Sequence, residues 1–115
     1  MDDYREVVEK SLGGKKMIPV KILVLDVLKP HKPNILEFGK TVCTEKSIES
    51  ANITVYAVDE KTESLKMVLE GKDIDFEKVK TLLENNGAVI HSMDKVLMSR
   101  KQLTDYSTVT EAGKF

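Results

Sequence analysis

From Val20 the chain reads Val-Lys-Ile-Leu-Val-Leu-Asp-Val-Leu-Lys-Pro-His-Lys-Pro, its longest apolar run, cut off by prolines at 30 and 33. A β-branched and leucine-rich stretch with apolar residues at both parities needs cover on both sides, which predicts a central strand over about 20–28. The prolines end it. Pro33 is expected in the first turn of the helix that follows, where a missing N–H is harmless. Asp26 and His31 form the polar lip of this strand and are the first residues to consider for chemistry.

Beyond the prolines, Ile35, Phe38, Gly39 and Val42 fall on one face, flanked by Leu36 and Cys43, which predicts a core-facing helix to about Glu45. Cys43 is then expected to be a small buried hydrophobe rather than a nucleophile. Ile53, Val55 and Ala57 alternate with polar neighbours, as do Leu65, Met67 and Leu69. With the polar stretch Asp59–Glu63 between them, they read as a hairpin. Asp75 is a good N-cap, with Ile74 and Val79 placed to staple the next helix, and Asn86-Gly87 is its expected stop. A last strand is expected from Ala88 to about Met98. Its alternation is disturbed, because Ile90, Val96 and Met98 share a parity with Ser92 and Asp94, while Val89, Met93 and Leu97 share the other with His91. A bulge there would re-aim a side chain.

The order strand, helix, strand, strand, helix, strand predicts an α+β, ferredoxin-like βαββαβ sandwich, with two helices on one face of a four-stranded antiparallel sheet. Its first and last strands are antiparallel neighbours, which would bring Asp26 near His91. The open face is expected to carry Thr54, Tyr56, Val58, Lys66 and Val68. That is too apolar to sit comfortably in water, and self-association is the simplest remedy. Residues 17–100 form the expected domain. Residues 1–16 read as an extension in which Tyr4, Val7, Val8 and Leu12 have helical spacing before Gly13-Gly14. Residues 101–115 read as a mobile tail or an oligomerisation arm, gripped through Leu103, Tyr106, Val109 and Phe115.

At 115 residues the chain suits one domain, and 18 basic against 19 acidic residues give no global pull toward nucleic acid or anionic membrane. One cysteine excludes an intramolecular disulfide and any multi-cysteine metal cluster. No hydrophobic leader and no run of about 20 apolar residues is present, so a cytoplasmic protein without membrane insertion is expected.

Leu25-Asp26-Val27-Leu28-Lys29-Pro30-His31 with Pro33, Asn52-Ile53-Thr54-Val55, Glu70-Gly71 with Asp75-Phe76, and Gly87-Ala88-Val89-Ile90-His91-Ser92-Met93-Asp94 resemble an uncharacterised archaeal family, number 211 among the domains of unknown function. The resemblance covers about residues 17–101. It implies a ferredoxin-like fold, a small cytoplasmic archaeal protein and a multi-subunit, ring-shaped homo-oligomer. It implies no known activity.

Asp26, His31, His91 and Asp94 are the candidate metal ligands, since imidazole with carboxylate suits Zn, Mn, Fe or Ni. Both histidines are expected at the same end of the sheet, where the acidic hairpin turn with Asp59, Glu60 and Glu63 also arrives. The bland reading of the same residues has Asp26 accepting from loop amides, His31 capping or packing, and His91 as partner of Asp26. A second acidic group, Glu70, Asp73, Asp75 and Glu77, offers carboxylates to a hard cation but lacks the twelve-residue calcium-loop pattern, and capping and solvation explain it more simply. Related functions fare poorly. There is no Cys-x-x-Cys loop after the first strand, no arginine in a glycine-rich anion loop, and no nucleophile with both a base and an orienter. RNA recognition would need exposed aromatics on the central strands, where this reading places Leu23, Leu25, Met67 and Leu69. The expectation is therefore a non-catalytic homo-oligomeric binding or scaffold module, with a divalent metal or a small molecule as its ligand. The alternatives are a metal-dependent enzyme using Asp26, His31 and His91 with a bound water as nucleophile, and a regulatory small-molecule-binding domain.

Overall fold

The computed structural model describes residues 18–102. The expectations for residues 1–16 and for the arm from Leu103 onward lie outside them. The elements run β1 (Val20–Pro30), α1 (Ile35–Val42), β2 (Ser50–Val58), β3 (Thr62–Glu70), α2 (Phe76–Asn85) and β4 (Val89–Met98). The sheet order is β2-β3-β1-β4, with every neighbouring pair antiparallel. This is the ferredoxin-like arrangement, and β1 is indeed central.

Two-sided burial follows from the composition of β1. Leu23, Leu25 and Val27 point toward the helices and pack with Phe38, Val42, Leu65, Met67, Leu69, Val79 and Leu83. Ile22 and Val24 point the other way and form a small second cluster with Val68, against which Leu97 packs. The central-strand positions on the open face are therefore Ile22, Val24, Asp26, Lys66 and Val68. Leu23, Leu25, Met67 and Leu69, weighed against the aromatics of RNA recognition, lie under the helices.

Helix α1 is shorter than its periodicity predicts. Asn34, rather than Pro33, starts it, its side chain accepting the Glu37 N–H at 2.9 Å. It ends at Val42, leaving Cys43 as a cap residue that is exposed, not buried. Thr44 and Glu45 then turn locally, with the Thr44 hydroxyl donating to the Thr41 carbonyl at 2.6 Å and Glu45 accepting from the Ser47 N–H at 2.8 Å and from its hydroxyl. Side chains that bond their own backbone in this way compete with further helix.

Helix α2 follows its signals closely. Asp75 accepts the Lys78 N–H at 3.2 Å, and both Ile74 and Val79 are buried. At the other end Gly87 adopts φ +78°, the Ala88 N–H bonds the Leu83 carbonyl at 2.9 Å and the Gly87 N–H bonds that of Glu84 at 3.0 Å. These two bonds are the Schellman pair, and the left-handed residue between them favours glycine.

Four single-residue irregularities break the ladders. In β4, Asp26 faces Ser92 and Val27 faces Ile90, so His91 is the extra residue; Val24 faces Lys95 and Leu25 faces Met93, so Asp94 is another. The disturbed alternation of β4 thus marks two bulges. Lys21 is the extra residue at the start of β1, and Tyr56 is the extra one in β2, between the pairs Val55–Leu65 and Ala57–Ser64. The bulge at Tyr56 also reverses the parity after it. Val58 comes to lie opposite Glu63, on the helix side, and not on the open face as expected.

Candidate functional site

Two polar constellations sit on β1, one on the open face and one at the strand's end. The first is built by the bulges. Asp26 lies opposite Lys66 on β3 and Ser92 on β4. The extra residues Tyr56 and Asp94 are turned toward the same place. The Tyr56 hydroxyl is 2.8 Å from each carboxylate oxygen of Asp26, the Lys66 ammonium is 3.5 Å from Asp26 and pairs directly with Asp94, and the Ser92 hydroxyl donates to Asp94 at 2.7 Å. Tyr56, Lys66 and Asp94 are held in their resting charge states by their neighbours. The Asp26 carboxylate raises the Tyr56 phenol above its ordinary value, and Asp94, with help from Asp26, raises Lys66. Lys66, and then Ser92, lower Asp94. The network holds two carboxylates around one cation.

The second constellation surrounds Lys29, which is fully buried although it is charged. Its stem lies on the helix side and its ammonium is 5.9 Å from the Phe38 ring centre. The ammonium bonds the carbonyls of Pro30 at 2.7 Å and Pro33 at 2.6 Å, lies 3.4 Å from that of His31, and pairs with Glu63 at 2.9 Å. Here the prolines find their role. They end the strand and turn the chain so that successive carbonyls converge on one cation. Glu63 uses its second oxygen for His31 Nδ1 at 3.3 Å, and His31 Nε2 meets the Glu60 carbonyl at 2.9 Å. The acidic hairpin turn therefore does arrive at His31, as the sequence suggests.

The four candidate metal ligands are divided by this geometry. Asp26 and Asp94 share Lys66, whereas His31 belongs with Glu63, beyond the end of β1. Asp26 to Pro30 is four residue steps, about 13 Å of strand at ~3.3 Å per residue. His91 comes beside the Asp26–Val27 step in the backbone, but the bulge sets Ser92 opposite Asp26, and the His91 side chain is exposed. Among the described residues, no three His, Cys, Asp or Glu side chains form a group able to hold a metal ion. Of the expected centre of Asp26, His31, His91 and Asp94, two residues, Asp26 and Asp94, thus lie in a network around Lys66, and His31 lies in a separate one beside Glu63 and Lys29. The second acidic group is also in use locally. Asp75 caps α2, Asp73 accepts the Val20 N–H at 3.3 Å, and Glu70 accepts the Ser50 hydroxyl at 2.6 Å.

The sequence reading missed Lys29, Tyr56 and Lys66 as partners. Lys29 carried a signal, as a charge at the end of the apolar run just before the prolines. The others depend on register.

The DUF211 family model, described as "Uncharacterized ArCR", matches residues 21–112. This chain belongs to DUF211. A relative from Methanocaldococcus jannaschii, named "Uncharacterized protein MJ0319", is 36% identical over 89 residues, covering 77% of this chain and 92% of that one. DUF211 membership thus brings an archaeal relative and no assigned activity. Within this DUF211 chain, both polar networks lie inside the matched residues. Among the described residues, no helix is long and apolar enough to cross a membrane.

Proposed function

We propose that the chain is a homo-oligomeric binding or scaffold module without catalysis of its own, whose subunit contacts run along the edge strand β4. The observation that carries this reading is the apolar surface of an edge strand. Val89, Met93, Val96 and Met98 on β4 are each between 42% and 59% exposed. An edge strand also presents unpaired backbone donors and acceptors, which favour pairing with another chain. The sheet's two edges, β4 and β2, differ in sequence, so a contact joining one to the other is head-to-tail and closes a ring if its rotation allows. The open-face network supports a binding rather than a catalytic role. Tyr56 and Lys66 keep their protons more firmly than the free side chains do, the opposite of what an activated nucleophile or base needs at neutral pH.

Light scattering on the full chain at micromolar concentration tests the proposal, and a mass of several subunits is expected. Val96→Asp is expected to reduce that mass while leaving the circular dichroism spectrum unchanged. A monomeric wild-type protein would sink the reading.

A further inference from the structure

His31 makes two contacts of the same polarity. Nε2 faces the Glu60 carbonyl at 2.9 Å and Nδ1 faces a Glu63 carboxylate oxygen at 3.3 Å. A carbonyl and a carboxylate both accept. Neutral imidazole has only one N–H, so one of its nitrogens would present a lone pair to an oxygen; the imidazolium donates to both. The two acceptors come from the β2–β3 turn and the first residues of β3, whereas the ring is carried by the β1–α1 loop. His31 is therefore a tie between two loops that follow different strands.

We propose that His31 is a proton-operated latch, closed as the imidazolium, that fastens the β2–β3 turn to the β1–α1 loop and releases it when the proton leaves. Glu63 from β3 and the Asp59–Glu60 backbone from the turn face the ring. Lys29 from β1 holds the other oxygen of Glu63, and the exposed Lys32 and Lys61 flank the latch along the two loops. The turn has few ties of its own, such as the Asp59 N–H to the Thr62 carbonyl at 2.7 Å, so release is local. Lys29 keeps Glu63 and the proline carbonyls in place whether or not His31 is charged, which leaves the sheet intact.

The direction of the titration agrees. The Glu60 carbonyl, and then the Glu63 carboxylate, raise His31 above 6.5, and Lys29, followed by His31, lowers Glu63 below 4.5. A raised histidine stabilises the fold fully below 6.5 and loses that contribution as pH rises through its folded value. A lowered carboxylate contributes above 4.5 and loses it as pH falls through its folded value. The latch is closed between these limits.

Nuclear magnetic resonance on the full chain labelled with 15N and 13C tests this. The His31 ring shifts are followed from pH 5 to 9, with His91→Gln used to assign the two histidines. The expected result is a His31 midpoint above 6.5, with the amides of Glu60 to Glu63 and of Lys32 moving at that same midpoint. Their hydrogen exchange, corrected for its intrinsic pH dependence, should rise severalfold once it is passed. His31→Gln is expected to remove the pH step from the turn amides, and Glu63→Gln to lower the His31 midpoint. A midpoint at or below 6.5, or turn amides indifferent to the His31 titration in the wild type, would overturn the proposal.

Discussion

Replacing Lys29 with methionine keeps most of the buried stem and deletes the ammonium. The lost interactions are two short bonds to the Pro30 and Pro33 carbonyls and the ion pair with Glu63. Hydrogen bonds to a charged group contribute about 1.5–3 kcal/mol each. Methionine and lysine lose similar rotamer freedom on burial, so side-chain entropy nearly cancels. The vacated acceptors lie where the strand opens into a loop, and water recovers part of what they lose. The expected net cost is about 3 kcal/mol, within the range for removing one partner of a buried pair. For a domain of this size that is a fall of roughly 12–24 °C in Tm. Thermal and urea unfolding of wild type and variant at one fixed protein concentration measure it, since association shifts apparent stability. A cost below about 1 kcal/mol would refute the reasoning, because it would mean that the bonds of Lys29 barely offset the desolvation of its charge.

Tyr56→Phe should remove a phenol that titrates above pH 10. The difference in phenolate absorbance between wild type and variant is expected to rise later than that of free tyrosine, and a midpoint at or below 10 would contradict the Asp26 contact. Because a raised group stabilises below its unfolded value and ceases to as pH climbs through its folded one, the stability gap between the two proteins should close in strong alkali. Gly71→Ala would set a methyl 2.1 Å from the Ser47 carbonyl oxygen, a backbone atom that cannot swing aside. A cost of about 2–4 kcal/mol in urea unfolding is expected, in the range for overpacking or larger. Glu45 is lowered mainly by the Ser47 hydroxyl, so its contribution should be present above 4.5 and lost as pH falls through its folded value. Glu45→Gln should therefore flatten the acid limb of stability against pH, and an unchanged limb would reject that role.

The two constellations show how legibility falls with distance along the chain. Asn34, Asp75 and Gly87 act within four residues of themselves, and local spacing reveals two of the three caps. Cys43 was misjudged because the hydrophobic period runs on past Val42, while Thr44 and Glu45 bond their own backbone and stop the helix. Val58 was assigned to the wrong face because one extra residue at Tyr56 inverts every parity after it. The same kind of insertion in β4 announced itself, since there two parities visibly mix apolar and polar residues.

For the candidate site the contrast is sharper. His31 with the acidic turn was visible, because a hairpin must return its turn near the end of the neighbouring strand. The expected convergence of Asp26, His31 and His91 was not realised, since strand rise spreads Asp26 and His31 apart and a bulge leaves His91 outward. By itself the sequence determined the order of the elements, the central place of Val20–Pro30 and its ending at the prolines, because these follow from burial period and from proline chemistry within the segment. Only the tertiary structure decided that Asp26 meets Tyr56 and Lys66 and that Lys29 gathers Glu63 with the proline carbonyls. Those meetings depend on the register between strands 30 to 40 residues apart, and single-residue bulges reset that register without changing the apolar pattern of β1 that organises the fold.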